Sequence, residues 1–494
     1  MKIYKPMLVK NIKRLGVVAF LLVAVTGCKV GDPYKRPDLD FSEEYYGKTG
    51  DTVPVDSVHL AKVKWVEFFG DYDLAALIDT ALANNLDMQK TVQVLEMSRQ
   101  DLLQSRANFY PSLGLTPFGY KRDYRSLYHD KYGNRASRRH ANESETPPTS
   151  LYTQQLSYNL GVSTSWELGL WGKLRWKKDA ARAAYMQSEE FKKAVQTALV
   201  AEVASTYYEL LKLRAELEVA ERNLDLNKNT LRIVELQYEA GEATSLAIRQ
   251  TKSQKLRFEA LIPQIEREYA VTENRLNTLL GRPPQKIDIT GHLNNVGFKG
   301  NYNTGVPLEL IQNRPDVAAS EYELIASNAE VGIAEAMKYP SITIDAGLGL
   351  DSYKLNKLFT PVESAFALIN GAIFQPIFQK RKLKTNYKKA LARRQIAQLD
   401  FKEKMIDAVR EVSDAMIILE KLEEEYALGE ERLETTQKGV TDAALLFRSG
   451  FANYLEVITA QGDALDSELG LIDTKMQILL ANIELYRSLG GGWQ

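Results

Sequence analysis

Residues 202–281 lie in ungapped register on residues 411–490. Glu202-Val203-Ala204-Ser205 falls on Glu411-Val412-Ser413-Asp414, Gly241 on Gly450, and Leu280-Gly281 on Leu489-Gly490. An offset of 209 residues held over so long a stretch marks a duplicated supersecondary unit, and such a repeat constrains the fold before any other pattern does. In each copy a glycine turn divides two apolar-periodic runs, so each copy is expected to be a helical hairpin.

The arms of these hairpins are long. Residues 178–238 contain neither Gly nor Pro, and a helix over them would measure roughly 90 Å at 1.5 Å per residue. Gly241-Glu242-Ala243-Thr244 makes the turn, residues 246–280 return, and Gly281-Arg282-Pro283-Pro284 closes the unit. The second copy ascends over 384–448, turns at Ser449-Gly450-Phe451-Ala452-Asn453 and returns over 454–489. Ahead of each hairpin lies another helical pattern, over 72–108 and 307–337, stopped at Tyr110-Pro111 and Tyr339-Pro340.

Between each Tyr-Pro stop and its long helix the period changes from 3.6 to 2. Tyr152, Leu156, Tyr158, Leu160, Val162 and Trp166 alternate with Thr153, Gln155, Ser157, Asn159, Gly161, Ser163 and Ser165. Ile342, Ile344, Ala346, Leu348 and Leu350 alternate with Thr343, Asp345, Gly347 and Gly349. Four strands are expected, over 112–124, 151–167, 341–353 and 364–377, with Pro117 and Pro361 interrupting the first and fourth. A soluble sandwich alternates in the same way but needs more strands than four to make a core. A transmembrane barrel turns the apolar face to lipid and the polar face to water. Four strands cannot close one, and each unpaired backbone group in lipid costs several kcal/mol, so other copies must supply the rest. Two to four copies give about eight to sixteen strands, a lumen wide enough for solutes favours three or more, and a trimer of twelve strands is the economical choice.

Lys2, Lys5, Lys10, Lys13 and Arg14 precede the apolar run 15–25, which is too short to span a bilayer and reads as an export signal over 1–27. Val25-Thr26-Gly27-Cys28 at its end resembles a bacterial lipobox, whose cysteine takes a diacylglycerol thioether and an N-acyl chain. Acyl chains contribute about 0.8 kcal/mol per buried methylene, enough for stable anchoring when several share one residue. Cys28 is the only cysteine, so no intramolecular disulfide holds the fold. The net charge of −1 includes the five signal cations, so the mature chain is more acidic and a nucleic-acid surface is not expected. His59, His129, His140 and His292 are scattered and form no known catalytic or metal-binding motif, so neither an enzyme, a metal nor a soluble cofactor is expected. The stretch between the first two strands holds Lys121, Arg122, Arg125, Arg135, Arg138, Arg139 and His140. It suits either a solvated loop or charge-assisted contacts to lipopolysaccharide phosphates.

Cys28-Lys29-Val30-Gly31-Asp32-Pro33-Tyr34-Lys35-Arg36-Pro37, Ser165-Trp166-Glu167-Leu168-Gly169-Leu170-Trp171-Gly172-Lys173, Arg314-Pro315-Asp316-Val317, Tyr454-Leu455-Glu456-Val457 with Gln461, and Leu489-Gly490-Gly491-Gly492-Trp493 stand in order along the chain. Together they resemble the outer-membrane lipoprotein channels of tripartite efflux systems, the TolC and OprM type. Gly169 in place of the family's acidic residue, and Asp32-Pro33 in inverted order, depart from it. The resemblance implies a mainly α fold with a membrane β-barrel contribution. Duplicated long helical hairpins would form a trimeric periplasmic α-barrel, and four strands per protomer a 12-stranded trimeric outer-membrane β-barrel. It implies as partners a homotrimer, a periplasmic adaptor protein, an inner-membrane RND-type transporter and outer-membrane lipid. It gives Gly241, Glu242, Ala243 and Thr244, with Gly450, Phe451, Ala452 and Asn453, the role of adaptor-docking tips. Glu456, Thr459 and Phe447 become candidates for the periplasmic aperture, where three copies of Glu456 would ring the axis and select cations. The expected organisation is a lipoprotein signal at 1–27, an extended lipidated segment at 28–73, repeats at 74–281 and 307–490 with hairpins 178–280 and 384–489, a linker at 282–306 and a tail at 491–494. A lipid-anchored periplasmic scaffold that conducts nothing, and the exit duct of a type I secretion system, are the alternatives.

Overall fold

The computed structural model describes residues 29–38, 46, 60–126, 152–298 and 309–493. The signal segment, Cys28 and the basic residues Arg135, Arg138, Arg139 and His140 lie outside them. In chain order the main elements are α1 (Trp65–Phe69), α2 (Tyr72–Asn84), α3 (Leu86–Ala107), β1 (Ser112–Ser126), β2 (Tyr152–Leu168), α4 (Lys173–Glu239) and α5 (Ser245–Leu279). Then follow α6 (Leu310–Asn313), α7 (Pro315–Ala336), β3 (Ser341–Ser352), α8 (Leu355–Leu358), α9 (Pro361–Ser364), β4 (Ala365–Phe374), α10 (Lys382–Arg448) and α11 (Tyr454–Ser488).

The duplication extends to the helix ends. An offset of 209 residues carries both bounds of α4 onto those of α10 and both bounds of α5 onto those of α11. Upstream, α3 maps onto α7 and the start of β1 onto the start of β3 with an offset of 229. The difference of 20 residues is taken up by longer strands in the first copy and by segment 127–151 between them. The symmetry reaches single bonds. Asn85 Nδ2 donates to the Leu279 carbonyl at 3.0 Å, and at the matching place Arg314 Nη1 donates to the Ser488 carbonyl at 3.1 Å. Each caps the end of a returning helix, where carbonyls lack partners within the helix. Gly281 (φ 69°) and Gly490 (φ 94°) follow; a Cβ on either would lie within 2.3 Å of the carbonyl oxygen of Asn84 or Asn313.

Several expectations change in detail. The helix expected over 72–108 breaks at Asn85, whose extended backbone and side-chain oxygen start a new helix by accepting from the amides of Asp87 and Met88. The helix expected over 307–337 breaks at Arg314, because a residue before proline is pushed out of helical geometry. Each ascending helix begins a few residues earlier than its apolar periodicity suggested. The strand expected over 364–377 is cut at both ends: Pro361 opens the short turn α9, and β4 stops at Phe374, before Pro376.

The chain divides into two compact units. One takes its residues from 1–35, 100–182 and 325–395 and holds the sheet. Its strands pair in the order β1-β2-β3-β4, each antiparallel to the next. Leu160 faces Leu350, Val162 faces Leu348 and Trp166 faces Ile344, while Ile342 faces Ile373, so one face is continuously apolar. The opposite face carries Ser163 with Gly347, Ser165 with Asp345 and Asp345 with Asn370. Pro117 does not end β1. The register shifts between Thr116 and Gly119, inserting one extra residue, so Leu113 and Leu115 before the bulge share a face with Tyr120 after it. In the same unit the residues after Cys28 are pinned: Val30 donates to the Trp171 carbonyl at 3.3 Å, Trp176 Nε1 donates to the Val30 carbonyl at 2.6 Å, and Lys29 Nζ sits 3.3 Å from the Trp176 ring centroid. Gly332 permits this, since a Cβ there would meet the Trp176 ring at 2.4 Å.

The other unit, from 36–99, 183–324 and 396–494, is helical. Its core is spread along the hairpins. Val219, Leu224, Phe258 and Leu465 join α4, α5 and α11, each side chain contributing about 1.5–3 kcal/mol by burial. Phe68 of α1 stacks on Tyr486 at 4.2 Å, and Tyr486 Oη donates to the Val63 carbonyl at 2.7 Å, which fastens the N-terminal segment to α11. No helix among the described residues is long and apolar enough to cross a membrane.

Candidate functional site: the hairpin tips and the polar sheet face

The two tips are built alike. Glu242 N donates to Gln237 O at 2.8 Å and Gly241 N to Tyr238 O at 3.0 Å; Phe451 N donates to Leu446 O at 2.9 Å and Gly450 N to Phe447 O at 3.2 Å. This is the Schellman pattern, and it needs a left-handed residue, which Gly241 (φ 81°) and Gly450 (φ 79°) supply. The returning helices then start on side-chain caps. Thr244 accepts from the Ala247 amide at 3.3 Å, and Asn453 accepts from the amides of Leu455 at 2.8 Å and Glu456 at 3.3 Å.

Behind the turns, Val234 and Ala247 of the first hairpin pack with Phe447 and Val457 of the second, and Ala243, Ala452 and Tyr454 close over them. Tyr454 Oη donates to Gln250 Oε1 across the two hairpins. Phe447, an aperture candidate by resemblance, is 6% exposed in this tip core, packed with Val234, Ala247 and Val457. Its aromatic surface is spent holding the hairpins together. Glu456 and Thr459 are exposed on α11, with Asn453 Nδ2 3.4 Å from a Glu456 oxygen. Glu242 and Phe451 are exposed at the turns.

Sequence reading missed two carboxylates on the same stripe. Asp463 and Asp466 follow Glu456 and Thr459 at three- and four-residue steps and are also exposed, Asp466 lying 3.7 Å from Arg257. Helical spacing from Glu456 was the signal that could have found them. On the other side of α11 the side chains are buried and polar. Gln461 accepts from Asn227 Nδ2 at 3.2 Å and donates to Thr230 Oγ1 at 2.9 Å. Two turns further on, Glu468 accepts from Arg222 at 2.6 Å, Asn223 at 3.2 Å and Gln437 at 2.9 Å. Buried polar groups of this kind fix which residues of α4 and α11 face each other, because a slip would leave them unpaired.

The Arg314-Pro315-Asp316 motif forms the densest charge cluster. Arg314 is 2% exposed. It holds Asp316 by two bonds of 3.0 and 2.7 Å and Glu411 at 2.8 Å, in addition to the Ser488 carbonyl. Arg487 reaches the same Glu411 oxygen at 3.2 Å, and Lys404 lies 3.3 Å from Asp316. Burial pushes the Asp316 carboxyl up, but the Arg314 bonds and charge, with help from Lys404, outweigh it and bring the pKa down to about 2. Burial likewise opposes the charge of Arg314, yet Asp316 and Glu411 raise its pKa. The arrangement is a clamp, with every charge engaged.

In the sheet unit, Ser112, Gly114, Asn159, Gly161, Ser163, Ser165, Asp345 and Gly347 line a hollow of about 480 Å³ on the polar face, edged by Phe366 and Leu368 of β4. Gly161 and Gly349 keep the face low, since a Cβ on Gly349 would lie 2.2 Å from the Leu160 carbonyl oxygen. No group of three or more metal-ligating side chains occurs among the described residues.

A model of the outer membrane efflux protein family matches residues 77–282 and 306–491. The chain is 27% identical over 480 residues to the solvent efflux pump outer membrane protein SrpC of Pseudomonas putida, covering 96% of this chain and 97% of that one. It is 27% identical over 477 residues to the cation efflux system protein CusC of Escherichia coli, again covering 96% and 97%. The fold superposes on the open state of the Neisseria gonorrhoeae MtrE outer membrane channel with a TM-score of 0.82, at 24% identity, covering 94% of this chain and 99% of that one.

Proposed function

Since the chain belongs to the outer membrane efflux protein family, we propose that it is the exit duct of a tripartite efflux pump, passing cargo from an inner-membrane transporter and a periplasmic adaptor to the cell exterior. The observation that carries this reading is the four-stranded sheet with one apolar face, one polar face and, among the described residues, no second partner for the outer strands β1 and β4. Such edges cannot remain open in lipid, where each unpaired group costs several kcal/mol. Three copies, with β4 of one beside β1 of the next, make a closed barrel of twelve strands, its polar face and glycine-lined hollow turned to a water-filled lumen. Homotrimerisation in the outer membrane is therefore part of the proposal. So is lipidation of Cys28, since the residues just after it are held against the sheet unit.

In this reading the duct supplies no chemistry. It lowers the barrier to crossing by offering water, while an RND-type transporter supplies energy and most of the cargo choice. The matched tips, Gly241 to Thr244 and Gly450 to Asn453, are the adaptor-docking surface. Glu456, joined along the same stripe by Asp463 and Asp466, lines the periplasmic aperture, where three copies would favour cations. The exposed apolar sheet face argues against a non-conducting scaffold, which would have no use for it.

Closure is tested by cysteine crosslinking between edges. With Gly114→Cys on β1 held fixed, cysteines are scanned along 365–374 of β4, and outer-membrane fractions are run without reductant. Crosslinked dimers and trimers at alternating positions are expected; monomers at every position would sink the trimeric barrel.

A further inference from the structure

The two copies of the duplicated unit part company where strand gives way to ascending helix. In the first copy the turn uses Gly172 (φ 78°), and two of the cations around it are paired, Lys173 with Glu167 at 2.7 Å and Lys29 with Asp179 at 2.6 Å. The 209-residue offset places Arg381 on Gly172 and Lys388 on Asp179. In the second copy the turn therefore has no glycine. Lys380 (φ 46°) and Arg381 (φ 67°) both adopt left-handed backbone, which disfavours any side chain beyond Cβ-free glycine. Strain of this kind persists where something else depends on the residue.

Three further observations meet there. Lys380, Arg381, Lys382, Lys384, Lys388 and Lys389 are all exposed, and among the described residues none of them makes an ion pair. The first turn of α10 holds no acidic residue, so these cations crowd the positive end of a helix dipole, which favours anions. Just before them, in the irregular stretch after β4, Ile377 is 95% exposed and Phe378 83%.

We infer that residues 377–389 bind anionic phospholipid in the periplasmic leaflet of the outer membrane, Ile377 and Phe378 entering the acyl region while the cations and the α10 N-terminus hold phosphate. This rests on the outer-membrane barrel reading. A soluble polyanion would satisfy the cations but leave Ile377 and Phe378 in water, whereas a leaflet satisfies both. Phosphate at a helix N-terminus gains from the amides and the dipole together. Long lysine stems keep their charge at the interface while lying along apolar surface. The site gives the second repeat a lipid contact that the first repeat, with its glycine turn and its Lys173–Glu167 and Lys29–Asp179 pairs, does not match.

The test uses the full-length lipidated protein in phosphatidylcholine vesicles containing either brominated phosphatidylglycerol or the same fraction of brominated phosphatidylcholine. With Trp166 of the apolar face replaced by phenylalanine in every protein compared, Trp171 reports locally, since it lines one cavity with Gln379 and Lys382. Quenching by the anionic lipid is expected to exceed that by the neutral one about threefold at low salt and to equalise at high salt. The excess should vanish in Lys380→Gln/Arg381→Gln/Lys384→Gln. A second variant, Lys380→Gly/Arg381→Gly, removes two cations and the backbone strain together, and it should raise Tm while diminishing the excess. Equal quenching in the wild type, or an excess unchanged in either variant, would overturn the inference. A trimer that still conducts in those cases leaves the channel reading standing.

Discussion

Replacing Arg314 by methionine should destabilise the helical unit by about 3 kcal/mol. The magnitude comes from what the guanidinium leaves behind. Arg314 is nearly inaccessible and, among the described residues, is the only group bonded to both the Asp316 carboxylate and the Ser488 carbonyl. Removing one partner of a buried ion pair costs about 3–5 kcal/mol, because the other charge stays desolvated. Here Asp316 keeps Lys404 and Glu411 keeps Arg487, which places the loss at the lower end. Methionine fills most of the volume, so the loss reports charge and hydrogen bonding more than cavity formation. The assay is guanidinium unfolding of the detergent-solubilised protein at neutral pH, followed by helical circular dichroism. The wild type is compared with Arg314→Met, Asp316→Asn and the double variant. The double should be less destabilised than the sum of the singles by about 2 kcal/mol. An Arg314→Met loss below about 1 kcal/mol, or additive singles, would refute the clamp.

Three more outcomes follow from the same geometry. The folded-state pKa of Asp316, about 2, lies below its ordinary 3.8, so its contribution of about 2 kcal/mol is present above pH 3.8 and lost as pH falls through about 2; Asp316→Asn should flatten stability in that window. Gly241→Ala and Gly450→Ala should each cost about 1–2 kcal/mol locally, since a Cβ at either meets nothing within 4 Å and only the left-handed backbone is penalised; hydrogen exchange at the tip amides reads this, and protection equal to wild type would contradict it. Gln461→Leu leaves Asn227 and Thr230 buried without their partner and should cost about 1–3 kcal/mol in the same unfolding assay, whereas a neutral result would mean water replaces the side chain.

Much of this architecture could be read in the sequence because duplication and periodicity are local, one-dimensional signals. The hairpins, their glycine turns and the polar and apolar faces of β2 and β3 all follow from spacing alone. What escaped depends on contacts between distant segments. The break at Asn85 looks like uninterrupted helix until its side chain is seen capping both α3 and the end of α5. Pro117 looks like a break in the alternation of the first strand until the bulge beside it carries the apolar pattern into the other parity. Phe447 lies one helical turn before a tip and so resembled a lining residue; only the packing of Val234, Ala247 and Val457 around it shows that it faces inward. Asp463 and Asp466 were legible from the stripe that Glu456 and Thr459 begin, but they lie outside the motif that carries the resemblance.

If this chain forms a water-filled duct narrowed at its hairpin tips, the purified, lipidated protein will conduct in a planar bilayer, and single-channel recording will show it. Wild type would be compared with Glu456→Gln and with Gly450→Pro, whose ring cannot adopt the positive φ of that turn. A small cation-selective conductance is expected, losing selectivity in Glu456→Gln and growing when Gly450→Pro loosens the tip. No conductance from any of the three, with trimers present in the bilayer, would contradict it.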